Sequence, residues 1–241
     1  MTKMICLGLL AVSFGANLTF AADRVAKKPK LVLAQPSTMV NFKRERASKD
    51  TQHVVNWVVD SDDNQGMPFV IVDKKNTKVF VFHADGQLLG AGPALLGLTR
   101  GDDSVPGIGE RKLASILRTE RITQAGRFIA ALDFNLQGAE ILWVDYDSGI
   151  SLHPVITSNT KERRAQRLAS PTSSDNRISY GCINVAAQLF DLVIKPAFTD
   201  TNGIVYILPE TRSMKSTFAS YDIKKRAPLR IASKKVYKPR R

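Results

Sequence analysis

A cysteine placed directly after a glycine, with a histidine some way upstream, is the pair in this chain best suited to nucleophilic chemistry. The cysteine lies in Arg177-Ile178-Ser179-Tyr180-Gly181-Cys182-Ile183-Asn184-Val185. After it the apolar residues Val185, Leu189, Phe190 and Val193 recur at helical spacing, which sets Cys182 at an expected strand-to-helix turn, with the helix ending before Pro196. Gly181 permits unusual backbone angles and close approach of a substrate. A helix start would supply unpaired N–H groups and a positive dipole end, which favour thiolate over thiol and suit an oxyanion. An isolated cysteine titrates near ~8.5, so such help matters at neutral pH.

Acyl transfer through a thiolate also requires a base. The chain has 3 histidines. His53 falls in a basic N-terminal stretch and His83 beside a hairpin turn, where a solvated ring is the ordinary state. His153 ends the strand-like run Gly149-Ile150-Ser151-Leu152 and precedes the segment leading to Cys182, so elimination selects it. Three scattered histidines and one cysteine make no ligand cluster, so neither a metal nor another cofactor is expected.

The elements that must position this pair are mostly strands. Phe69-Val70-Ile71-Val72-Asp73 and Lys78-Val79-Phe80-Val81-Phe82 flank a hairpin turn at Lys74-Lys75-Asn76-Thr77, and Asp85-Gly86 turns the chain again toward Leu88. Val54 to Val59, Arg127 to Leu132, Ile141 to Val144 and Gly203 to Leu208 are further strand candidates, and 101–107 reads as a loop. Asn159 followed by Glu162 predicts a capped helix through Leu168. Short strands with one or two helices predict a compact, mainly β domain, a sandwich or barrel, over 67–209.

The ends of the chain differ from this middle. Lys3, the apolar run Met4 to Phe14 and a small-x-small pattern ending at Ala21 predict a signal peptide over 1–21 and hence an exported protein, in the periplasm or cell wall. Residues 22–66 read as a basic flexible extension and 210–241 as a basic tail, whose last eighteen residues hold nine lysines or arginines and no acid. Removing the leader takes Cys6 with it and leaves Cys182 as a lone thiol in an oxidising compartment, where an idle one is a liability. The net charge of +13 suits an anionic wall or membrane polymer. Nucleic acid is not an expected partner, because no basic-aromatic groove pattern accompanies the charge.

Ser179-Tyr180-Gly181-Cys182-Ile183-Asn184 resembles the signature of the L,D-transpeptidase catalytic-domain family, Ser/Thr-His-Gly-Cys-apolar-Asn/Arg. Val70 to Leu89 is similar to the family's opening hairpin, and Thr123-Gln124-Ala125-Gly126-Arg127-Phe128 to its Thr-Pro-x-Gly-x-Phe segment. His153 falls where the family has its general base. The resemblance implies attack by Cys182 on the carbonyl that joins the third residue of a peptidoglycan stem tetrapeptide to its terminal D-alanine. His153 would accept the thiol proton, and backbone N–H groups of Tyr180, Gly181 and Cys182 would hold the oxyanion. Ser179, Arg177 and Asn184 would shape the site, Arg177 by pairing with a substrate carboxylate. Three features depart from the family: Tyr180 replaces the motif's histidine, Pro154 follows His153 where many members have glycine, and the span from His153 to Cys182 is longer. Transfer to a stem amine or a protein amine, hydrolysis by water, cleavage of existing cross-links and a non-catalytic wall-binding role all stay open at this level, as does the oligomeric state.

Overall fold

A computed structural model describes residues 39–223. The expected leader and the tail from 224 onward lie outside the described residues. The strands are β1 (Phe69–Asp73), β2 (Lys78–Phe82), β3 (Leu88–Gly97), β4 (Gly126–Phe134), β5 (Glu140–Asp145), β6 (Ile150–Pro154), β7 (Arg177–Ser179), β8 (Ile183–Val185) and β9 (Gly203–Ile207). They pair in the order β2-β1-β9-β4-β5-β6-β8-β3-β7, and an added β2–β3 pairing closes all but β7 into a ring. The chain is therefore mainly β, a barrel that is also a two-sheet sandwich.

Two strands make its corners by changing partner midway. β3 pairs with β2 up to Pro93 and then with β8 at Ala94 and Leu95. β4 pairs with β9 up to Ala130 and with β5 from Ala131. The unbroken apolar runs of β1, β2 and β9 follow from burial on both faces. Val70, Val72, Val79, Val81, Val205 and Ile207 face the barrel interior. Their alternating neighbours Phe69, Ile71, Phe80, Phe82, Ile204 and Tyr206 form a second core outside it.

That second core explains a difference from the sequence reading. Val54 to Val59 is part of a helix, α1 (Lys49–Ser61), rather than a strand. Ser48 caps it by accepting from the Thr51 N–H, and the Ser48 and Thr51 hydroxyls both donate to Asp73 on β1. Thr51, Val54, Val55 and Val58 lie on one helical face, and the three valines and Trp57 fill the second core. Burying each is worth about 1.5–3 kcal/mol, against at most ~0.7 kcal/mol per residue for the poor helix propensity of valine. Packing decides the conformation.

The expected boundaries move with it. The stretch 22–66 is not flexible throughout, since 39–66 contributes to the core. Likewise 210–223 is folded, with a short helix at Met214–Phe218 whose Phe218 ring lies 5.9 Å from Tyr206. The helix after Cys182 also differs. It starts at Ala187, passes through a widened π turn at Phe190–Ile194 and runs past Pro196 to Phe198. The proline opens the last helical piece, where a missing N–H costs least. The Asn159-capped segment is broken by Arg163 at φ 51 into a single turn at Thr160–Glu162 and a helix, α2 (Arg164–Ala169).

Candidate functional site

Strand alternation builds the site. β6 and β8 are adjacent and parallel, with Leu152 opposite Ile183 and His153 opposite Asn184. Ile150, Leu152, Ile183 and Val185 point into the barrel core. The alternate positions Ser151, His153, Cys182 and Asn184 therefore share the opposite face. Cys182 Sγ lies 3.5 Å from the Ser151 hydroxyl and 3.5 Å from the Gly149 carbonyl. Among the described residues it is the free cysteine, and it is half-buried.

The cysteine sits on a tight turn between β7 and β8, not at a helix start, so no helix dipole acts on it. Ser179, 2% exposed, staples the turn: its hydroxyl donates to the Cys182 carbonyl at 2.6 Å and accepts from the Gly181 N–H at 3.1 Å. Gly181 has φ +144, and a Cβ there would meet the Ile122 carbonyl at 2.9 Å, so the position requires glycine. Thr123 donates to the Gly181 carbonyl at 2.7 Å and accepts from the Gly97 N–H, tying the turn to β3.

Burial pushes the Cys182 thiol up. The hydrogen bond and charge of His153 beside it, with a smaller share from Ser151, outweigh burial and leave it below the ordinary thiol value. The His153 ring is itself held at both nitrogens. Nδ1 is 2.8 Å from the Pro154 carbonyl, and Nε2 is 3.0 Å from the Asn184 amide nitrogen. Proline at 154 keeps its carbonyl, so replacing a glycine there removes no acceptor.

The sequence-nominated residues fall into two groups. Cys182, His153, Ser179, Tyr180, Gly181 and Asn184 come together, with Ser179 working through the backbone. Arg177 does not join them. It is buried, bonding Glu210 at 2.7 Å and the Lys74 carbonyl at 2.7 Å, so it has no free face for a substrate carboxylate. Of the three N–H groups expected to hold an oxyanion, that of Gly181 is already spent on Ser179. Tyr180 lies under the Arg121 guanidinium at 3.8 Å. His53, on α1, bonds Ser220, and His83 pairs with Asp85 in solvent.

Ser151 and Arg164 were not singled out from the sequence. Alternation along 150–154 places Ser151 on the same face as His153, a readable signal. Arg164 reaches Asn184 Oδ1 at 2.7 Å from α2 and pairs with Glu162, a contact no local pattern announces.

Cys182 and Tyr180 open into a crevice of about 100 Å³, walled by Ile108, Arg111, Ile116 and Ile122. The wall is the segment 99–125, which contains three short 3-10 turns. Arg111 braces it, pairing with Glu120 at 3.0 Å. A larger cavity of about 530 Å³ shares Gly109 and Gly149 with the crevice and adds Glu110, Phe134, Trp143, Tyr146 and Asp147. Among the described residues, no helix is long and apolar enough to cross a membrane, and no acid, histidine and cysteine group is arranged to hold a metal.

No family model matches the chain, and no curated protein does. Among solved structures it is similar to an L,D-transpeptidase (Yku) from Stackebrandtia nassauensis, at 17% identity over 68% of each chain and a TM-score of 0.36. It is similar to the catalytic domain of the E. faecium L,D-transpeptidase, at 14% identity over 59% of this chain and 98% of that one, TM-score 0.32. A third likeness is to a fused Zn-dependent amidase/peptidase/peptidoglycan-binding domain-containing protein from Clostridium acetobutylicum ATCC 824, at 14% identity and TM-score 0.34. The match covers 60% of this chain but 53% of that one, about half its length. These likenesses concern the fold; the chemistry of the site follows from its own side chains.

Proposed function

We propose that this chain is a cysteine acyltransferase of the L,D-transpeptidase type, acting on peptidoglycan stem peptides after export. The observation that carries the reading is the shared polar face of β6 and β8, which joins Cys182 to Ser151, His153 and Asn184 at the mouth of a crevice. In the proposed cycle the thiol gives its proton to His153 as sulfur attacks the stem carbonyl, and the N–H groups of Tyr180 and Cys182 face the oxyanion. His153 returns the proton to the departing D-alanine amine, leaving a thioester on Cys182. An acceptor amine then forms the new amide bond, and the sulfur leaves as thiol.

The neighbouring cavity favours an amine over water as acceptor. Trp143 and Tyr146 lie with ring centres 4.4 Å apart and planes tilted by 34°, in a cavity also lined by Glu110 and Asp147. Aromatic faces with carboxylates suit an ammonium-bearing peptide in a protein otherwise rich in positive charge. The double change Glu110→Gln and Asp147→Asn is expected to raise the acceptor KM about tenfold, with thioester formation unchanged. Product partition between dimer and hydrolysed tripeptide reads this directly.

The test of the function is mass spectrometry of the mature protein incubated with disaccharide-tetrapeptide, alongside Cys182→Ala. A covalent tripeptide adduct on Cys182 with loss of D-alanine and a dimeric product is the expected result. Tripeptide without dimer would make the chain a carboxypeptidase. No adduct and no turnover would overturn the enzymatic reading and leave a wall-binding protein.

A further inference from the structure

We propose that Arg164 is a positioning residue for the base: acting through Asn184, it aims an N–H donor at His153 Nε2 and so keeps that nitrogen unprotonated. The proposal rests on His153 serving as the base, and three contacts determine the protonation it assigns.

A guanidinium has donors only, so the Asn184 atom 2.7 Å from Arg164 Nη1 must be the amide oxygen. The amide nitrogen then faces His153 Nε2 at 3.0 Å, and there Nε2 has to accept. On the other side of the ring the Pro154 carbonyl, which can only accept, lies 2.8 Å from Nδ1, and there Nδ1 has to donate. One state satisfies all three contacts: a neutral imidazole with its hydrogen on Nδ1 and a lone pair on Nε2. Asn184 is 1% exposed, so solvent offers it no alternative partners.

Arg164 decides which end of the amide meets the ring. Without it the Asn184 amide can turn and present its oxygen, which suits a doubly protonated ring that still donates from Nδ1 to Pro154. The guanidinium is held in turn by Glu162 from the preceding turn. Both residues lie in the segment between β6 and β7. The guanidinium thus keeps the ring neutral with its lone pair on Nε2; that lone pair is engaged by the Asn184 N–H, which has to give way as the thiol proton arrives and favours its later release toward the leaving amine.

The test is ring ¹⁵N NMR of His153 in the full chain, assigned with His153→Gln, comparing wild type, Arg164→Met and Arg164→Lys. The neutral ring with its hydrogen on Nδ1 is expected in wild type and in the lysine variant, and a doubly protonated ring in the methionine variant. Alkylation of Cys182 by iodoacetamide supplies a second readout. For Arg164→Met the pH profile should move to lower pH by about one unit, tenfold in rate at a fixed pH on its rising limb. An unchanged tautomer and profile in Arg164→Met would overturn the proposal, whatever the variant does to the melting temperature. Should that variant fail to fold, Glu162→Gln loosens the same guanidinium from outside and is expected to shift both readouts in the same direction; no shift there counts equally against it. Neither readout uses peptidoglycan, so failure of the stem-peptide reaction and failure of this inference are separable.

Discussion

His153→Ala is expected to slow acylation of Cys182 by about 10²–10⁴-fold, the usual worth of a positioned general base. Two effects combine in that number. The thiol loses the group that takes its proton, and it loses the partner that makes it acidic. Burial alone raises the thiol; the His153 hydrogen bond and charge, then Ser151, reverse that and hold it low. Removing the ring leaves burial in control, so the alkylation profile of Cys182 should move to higher pH in the alanine variant. Ser151→Ala, which removes the weaker contact at 3.5 Å, should move it the same way by less. A loss of turnover without any movement of the alkylation profile would mean that His153 serves the substrate and not the thiol.

Much of this site was legible as local pattern. The β-hairpin, the barrel strands and the residue pair Cys182 and His153 follow from alternation, turn residues and the scarcity of thiols and imidazoles. What escaped was set by partners distant in sequence. The valines at 54, 55 and 58 favour a strand by local preference and become helical because the outer face of β1, β2 and β9 needs a cover. Cys182 was expected at a helix start because Val185, Leu189, Phe190 and Val193 keep helical spacing. Val185 in fact ends β8, and the helix begins two residues later. The acidity of the thiol therefore comes from a side chain across the sheet instead of from a dipole. Arg177 carried the charge expected of a substrate clamp, yet its partner Glu210 lies in a stretch that composition assigned to the tail. Long-range pairing of this kind leaves no periodic trace.

That pairing is also where the fold is most vulnerable. Lys74 and Asp102 are both fully buried and meet at 2.8 Å, with Lys74 also donating to the carbonyls of Gly101 and Thr123. Asp102 accepts in addition from the N–H groups of Glu210, Thr211 and Arg212 and from the Thr211 hydroxyl. One carboxylate thus binds the first hairpin to the segment after β9, and through Thr123 the cluster reaches the Gly181 turn. Asp102→Ala leaves the buried ammonium with only Glu210 as a counter-charge, 3.7 Å away and shared with Arg177, and strands several backbone donors, so it should cost about 3–5 kcal/mol, a large part of the ~5–15 kcal/mol that holds a domain together. The pH dependence has a defined sign. Burial pushes the Asp102 carboxyl up, but Lys74, Thr211 and the backbone N–H groups hold it far below the usual carboxylate range. A lowered folded-state value gives stability that is complete above the unfolded value near ~3.9 and drains away as the pH falls below it. Urea unfolding should therefore separate wild type from Asp102→Ala widely at neutral pH and less at about pH 3. A separation under about 1 kcal/mol at neutral pH, the range of an exposed ion pair, would mean that this network does not hold the hairpin and the last segment together.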